Sequence, residues 1–222
     1  MNKINCEDFI ISYIKTNKNL SKLYSIKHPN SKYTLKSIIN DIIYVLKTGI
    51  SWRSIRSSNN WQSIYFHFKR FSKTNIFRSL FNSVKNKYIR QNNIDTLVID
   101  SSFIPNKNGK QVIARNKFFK NKNCNKMSII TDINGIPLPV AAFISKGNIN
   151  DCKLFKPTYK ILNKKVKNAS KYLLADKGYV SKFIRKELID DNCHLMVPSK
   201  KNSKEKHEKK ILDELEALYG SD

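Results

Sequence analysis

IDTLVIDSSFIP (residues 94–105) and KYLLAD (residues 171–176) each run through apolar residues to a carboxylate, Asp100 in the first and Asp176 in the second. Short apolar runs of this kind predict strands buried on both faces. An aspartate has no packing role in such a strand. Between the two runs, KMSIITDINGIPLPVAAFIS (126–145) holds two β-type segments around Asn134-Gly135, the preferred pair for a type I′ hairpin turn. NINDCKLFKPTYKIL (148–162) opens on Asn/Asp cap residues and continues as a helix, with Pro157 out of place unless the helix starts there. VSKFIRKELIDD (180–191) reads as helix and HLMVPS (194–199) as strand. The order β, β-hairpin, α, β, α, β predicts a mixed sheet flanked by helices, the ribonuclease H-like plan.

Upstream the periodicity is helical. Leu35, Ile38, Ile39, Ile42, Ile43 and Leu46 recur at helical spacing, and Gly49 follows as a stop. Trp61, Ile64, Tyr65, Phe68 and Phe71 form a second stripe, read as packing residues; Phe77, Leu80, Phe81, Val84 and Tyr88 form a third. Two domains are expected: a helical, helix-turn-helix-like domain at 1–91 and an α/β domain at 92–222. Arg53, Lys69 and Arg70 are the candidate DNA-contacting cations, while a helical cap packed on the next domain is the plain alternative.

The chain of 222 residues carries 42 Lys+Arg against 17 Asp+Glu, a formal net charge of +25, with 40% hydrophobic residues. Self-repulsion of this size is relieved by a polyanion, and the cations are spread along the whole sequence, which points to nucleic acid. The many Asn and Ile offer a second origin for the lysines, a compositional bias. No apolar stretch approaches the roughly 20 residues of a membrane helix, and the N-terminus lacks a signal-peptide core. Cys6, Cys124, Cys152 and Cys193 form no CxxC pair and read as reduced, mostly packed thiols of an intracellular protein. A zinc site from Cys193, His194 and His207 lacks a second ligand pair at finger spacing.

In the expected topology the strands bearing Asp100 and Asp176 are neighbours and parallel. Two adjacent carboxylates repel unless a divalent cation lies between them, and oxygen ligands suit Mg²⁺ or Mn²⁺. Paired ions of this kind serve phosphodiester cleavage. Asp95 stands at an odd offset from Asp100 and is expected on the opposite sheet face. Read singly, each aspartate is equally a turn or cap residue, so spacing leaves both readings open.

WRSIRSSNNWQSIYFHFKRFSKTNIFRSL, IDSS, NKMSIITDINGIPLPVAAFISKGNIND and LLADKGY, in this order, resemble a DDE transposase of the IS4/IS5 insertion-sequence group over roughly residues 33–205. The resemblance places the catalytic, metal-holding aspartates at Asp100 (the IDSS strand) and Asp176 (the ADKGY segment). SKGNIND matches an S-x-G-N-x-x-D segment, making Asp151 a supporting residue, with Lys177 beside Asp176 another. It implies Mg²⁺ or Mn²⁺ as cofactor, and duplex DNA, as transposon ends and target, as partner. It also implies a homo-oligomer when active, and strand cleavage followed by transfer. The family's third acid is a glutamate in a Y-x-x-R-x-x-x-E helix. Here Tyr219 falls where that tyrosine belongs and the sequence stops at Asp222. Glu205, Glu208, Glu214 and Glu216 lie upstream in a charged stretch. The expectation is therefore a C-terminally truncated transposase, with a DNA-binding remnant that does not cut as the alternative.

Overall fold

A computed structural model describes residues 5–25, 33–106, 112–133 and 138–198. The chain forms two compact units, Met1–Lys87 and Tyr88–Asp222. The Asn134-Gly135 turn, His207, Tyr219 and the four C-terminal glutamates lie outside the described residues.

The first unit is helical: α1 (Cys6–Thr16), α2 (Lys18–Ser25), α3 (Leu35–Thr48), a 3-10 turn at Trp52–Ser54, α4 (Trp61–Ser72) and the first part of α5 (Ile76–Gln91). Capping follows the residues that the sequence supplies. The Thr34 side chain accepts from Ser37 N at the start of α3, and Gly49 ends it in the left-handed region at φ 68°, where a side chain would be strained. Ile38, Ile39, Ile42 and Val45 are buried from α3, while Leu46 is exposed. Thus the expected stripe is displaced by one residue in its last turn. Ile64 and Phe71 of α4 join Ile10, Ile14 and Ile76 in one core. Tyr65, expected in packing, meets the Trp52 ring at 5.4 Å but is 38% exposed on its other side, with the Lys69 ammonium 5.7 Å from its ring centre. Asp41 accepts from Ser57 Oγ at 2.7 Å and from buried Asn59 Nδ2 at 2.6 Å, fastening the loop before α4 onto α3.

The second unit carries one six-stranded sheet. Its elements run β1 (Thr96–Pro105), β2 (Ala114–Asn116), a 3-10 turn at Lys117–Phe119, β3 (Lys122–Asp132) and β4 (Pro139–Lys146). They continue as α6 (Asp151–Tyr159), α7 (Lys164–Ala169), β5 (Tyr172–Ala175), a 3-10 turn at Lys177–Tyr179, α8 (Lys182–Ile189) and β6 (His194–Met196). β3 lies antiparallel to β1, and its outer edge is shared by β2 and β4; β5 and then β6 run parallel to β1 on the other side. This mixed helix-and-strand order fits the ribonuclease H-like plan. Short β2 and helix α7 are additions to the order read from sequence. One further expectation is corrected. Pro157 sits inside α6, which starts after the Asn150 cap and ends two residues beyond the proline, so little of the helix is left for it to break. β1 ends at Pro105, where the β-type run was expected to end, because β3 pairs with it throughout, so Asp100 lies inside the strand. Leu97, Ile99, Ile130, Phe155, Leu173, Ile184 and Leu188 form the core of this unit.

Candidate active site on the sheet

Parallel pairing sets Ile99 opposite Ala175 at the end of the β1–β5 ladder. Asp100 and Asp176 are the next residues on each chain. Both are exposed to solvent, and both line one cleft of about 350 Å³ with Ser101, Phe103, Asn116, Lys126, Asn148, Asp151 and Tyr179 among its other walls. Asp100 Oδ1 accepts from the backbone N–H of Ser101 at 2.7 Å. Asp176 caps the following 3-10 turn, its Oδ1 accepting from Gly178 N. The cap reading of Asp176 holds, and it does not compete with a place in the cleft, since the turn engages one carboxylate oxygen. A Cβ on Gly178 would stand 3.3 Å from Asp176 Oδ1 and 3.6 Å from Asp151 Oδ2, so the glycine leaves room between two carboxylates.

Asp151 reaches the cleft from the first turn of α6. Its Oδ1 lies 2.6 Å from Lys126 Nζ and also accepts from Ser101 Oγ. Lys126 is only 6% exposed, with its ammonium 5.0 Å from the centre of the Phe103 ring across the β1–β3 pair. Four of the seven SKGNIND positions, Ser145, Gly147, Asn150 and Asp151, thus have a physical basis. Ser145 Oγ donates to Lys126 O at 3.4 Å, and Asn150 accepts from Cys152 N at 3.0 Å as the α6 cap. A Cβ on Gly147 would collide with Cys124, lying 2.6 Å from its carbonyl oxygen. The Tyr179 hydroxyl is buried beneath the cleft without a hydrogen bond of ordinary geometry among the described residues. Burial, chiefly, pushes its pKa up to about 12; the charges of Asp151 and Asp100 add to the rise, and neighbouring Ser101 and Ser128 oppose it.

Residues 91–219 match the transposase DDE domain family. The chain belongs to that family. No curated protein sequence matches it. Among solved structures, the DDE chain is similar to a piggyBac transposase synaptic complex with hairpin DNA, at 16% identity and TM-score 0.49 over 90% of this chain. It spans about half of that protein, 51% of its length. It is also similar to a Mos1 mariner paired-end complex with Mn, at 12% identity and TM-score 0.32, over 96% of this chain and 89% of that one.

Of the residues singled out by sequence, the DDE domain brings Asp100, Asp176 and Asp151 to one cleft, whereas Lys177 is exposed in the 3-10 turn and does not line it. Asp95 does not line it either; its carbonyl accepts from Lys171 N and Tyr172 N at the entry to β5. In the helical unit, Arg53 lies over Trp61 at 5.3 Å, at the N-terminal end of α4, and Lys69 and Arg70 lie near its C-terminal end. Eight residues of helix, about 12 Å, separate the two positions. Of the thiols, Cys124 and Cys193 are buried but Cys6 is exposed, contrary to a packed role; all are free. Sequence reasoning missed Lys126, Ser101 and Tyr179. A signal for Lys126 existed. β3 buries every second residue from Cys124 to Asp132, which puts a lysine at an inward position that requires an anion.

Proposed function

We propose that this chain is an insertion-sequence transposase of the IS4/IS5 type, an intracellular protein that binds transposon-end DNA and cuts and joins phosphodiester bonds. The observation that carries the reading is the register: Asp100 and Asp176 directly follow paired residues on neighbouring parallel strands and open onto one cleft. The donor set fits Mg²⁺ or Mn²⁺, being carboxylate oxygens with amide oxygens of Asn148 and Asn150 nearby and no histidine or cysteine in the lining. Asp100 and Asp176 would hold the ion, which on binding supplies charge stabilisation at the phosphate. Among the described residues no three His, Cys, Asp or Glu side chains stand close enough to hold one metal ion together. The remaining ligands would be water, DNA or the nearby amide oxygens. Ser101 and Gly178 orient the two carboxylates through their backbone N–H groups, and Lys126 keeps Asp151 paired. DNA docks through the basic surface, with Arg53, Lys69 and Arg70 as contacts in a helix-turn-helix-like unit and with a second copy of the chain in the active assembly.

The test is Mg²⁺-dependent nicking of DNA bearing the sequences that flank its reading frame, with Mn²⁺ binding measured separately by titration. Asp100→Asn and Asp176→Asn should each lower nicking by more than the ~10–100-fold typical of outer-shell losses and weaken Mn²⁺ binding in parallel. Nicking that survives both substitutions would refute the site. A second reading, a DNA-binding protein without cleavage, draws on the absence of a third ligand among the described residues. Tight duplex binding with neither nicking nor Mn²⁺ uptake would select it.

A further inference from the structure

Phe118 is 80% exposed, the most exposed large hydrophobic residue among those described, and it stands in the lining of the Asp100–Asp176 cleft. Single exposed apolar residues are common on proteins and mean little alone. This one is held in place. Its own backbone N–H donates to Asn116 Oδ1 at 2.7 Å, and Asn116 Nδ2 donates to Gly147 O at 2.6 Å, fixing the turn to the segment that leads into α6. Phe119, the next residue, packs on Phe103 of β1 with ring centres 5.6 Å apart. β2, just before the turn, is paired with β3. An aromatic ring is thus presented to solvent from a support tied at three points, next to two carboxylates suited to phosphate chemistry. The Lys117 ammonium lies 5.2 Å from its centre.

We infer that Phe118 is a stacking platform for one unpaired nucleobase of the strand entering the cleft. A base offers a flat π-face for the ring, and the phosphate next to it offers an anion for Lys117. Bases inside a duplex are already stacked on both sides, so the ligand is a frayed, flipped or single-stranded nucleotide. This assignment rests on the DNA reading of the cleft proposed above.

The experiment uses the full chain without divalent metal and three probes: a fully paired duplex, the same duplex with a short unpaired overhang carrying 2-aminopurine, and that overhang with an abasic position. Wild type is expected to prefer the overhang and to quench 2-aminopurine. Phe118→Ala should lose about 5- to 150-fold of overhang affinity, the worth of one stacked base, while binding the paired duplex as wild type does. Phe118→Trp should retain both. The abasic probe should cost wild type what the alanine costs and cost the alanine variant nothing more. Wild-type preference and quenching in Phe118→Ala would overturn the stacking role alone. Failure of wild type to bind even the paired duplex would overturn the DNA reading together with it.

Discussion

Lys126 can keep its ammonium at 6% exposure because Asp151 stands 2.6 Å away to receive it. Removing one member of such a pair leaves the other charge poorly solvated. The Asp151 side chain is 31% exposed and can turn partly to water. Lys126→Met should therefore cost about 1–3 kcal/mol in denaturant unfolding, below the 3–5 of a fully buried pair. Adding Asp151→Asn to that variant should return part of the loss, because the two sites share one interaction. Purely additive costs in this double-mutant cycle would show that the pair contributes nothing specific. That Asp100 and Asp176 would open onto one cleft was legible at this scale, since each closes an apolar run on a neighbouring strand. Their partners were less so. Ser101 and Tyr179 sit inside the quoted IDSS and ADKGY segments, but no periodicity tells which of two serines turns toward Asp151. The contact spans fifty residues of chain.

Among the elements, the clearest dependence is the close approach of the chain after β4 to β3. Gly147→Ala would push a methyl group against the Cys124 backbone carbonyl, 2.6 Å away, as well as its thiol. Overpacking of this kind costs about 1–3 kcal/mol. A thermal melt should show the loss, and Cys124→Ala should not rescue it, because the carbonyl remains; full rescue would place the clash at sulfur alone. A second dependence joins α5 to β3. Tyr88 Oη donates to Asp132 Oδ2 at 2.7 Å, both residues being buried. Burial and then this bond raise the Tyr88 pKa to about 12 from an ordinary 10. The folded form thus holds the proton more tightly than the unfolded chain. The stabilisation is complete below pH ~10 and is lost as pH rises through ~12. The stability difference between wild type and Tyr88→Phe should shrink across that window; a constant difference would mean that the hydroxyl is not the source. Sequence patterns found the long helices and β1, β3, β4, β5 and β6. It did not find β2, whose Ala114-Arg115-Asn116 carries no apolar run, or predict that Lys69 would lie over a partly exposed Tyr65 ring.

At the scale of the whole molecule, a net charge of +25 should govern binding more than any single contact. DNA affinity is expected to fall steeply with salt, with a log–log slope of about −0.9 per phosphate neutralised. Replacing Lys69 and Arg70 together by alanine should flatten that slope by nearly two phosphates if both reach the backbone; an unchanged slope would locate the contacts elsewhere on the basic surface. The mixed helix-and-strand plan of the second unit was legible because the order of its elements follows from short, strong local patterns. What covers or completes the cleft was not, since it depends on side chains brought together from distant segments. The parallel pairing of β1 with β5 also dictates which changes of length a gene for this fold can absorb. Insertions at exposed Lys160 and Ile161 only lengthen a connection between helices. Deleting one residue inside Tyr172–Ala175 instead turns Asp176 to the other side of the sheet while leaving its neighbours' chemistry intact. Indel tolerance should therefore change abruptly within a dozen residues, from silent to lethal for the site, at a strand only four residues long.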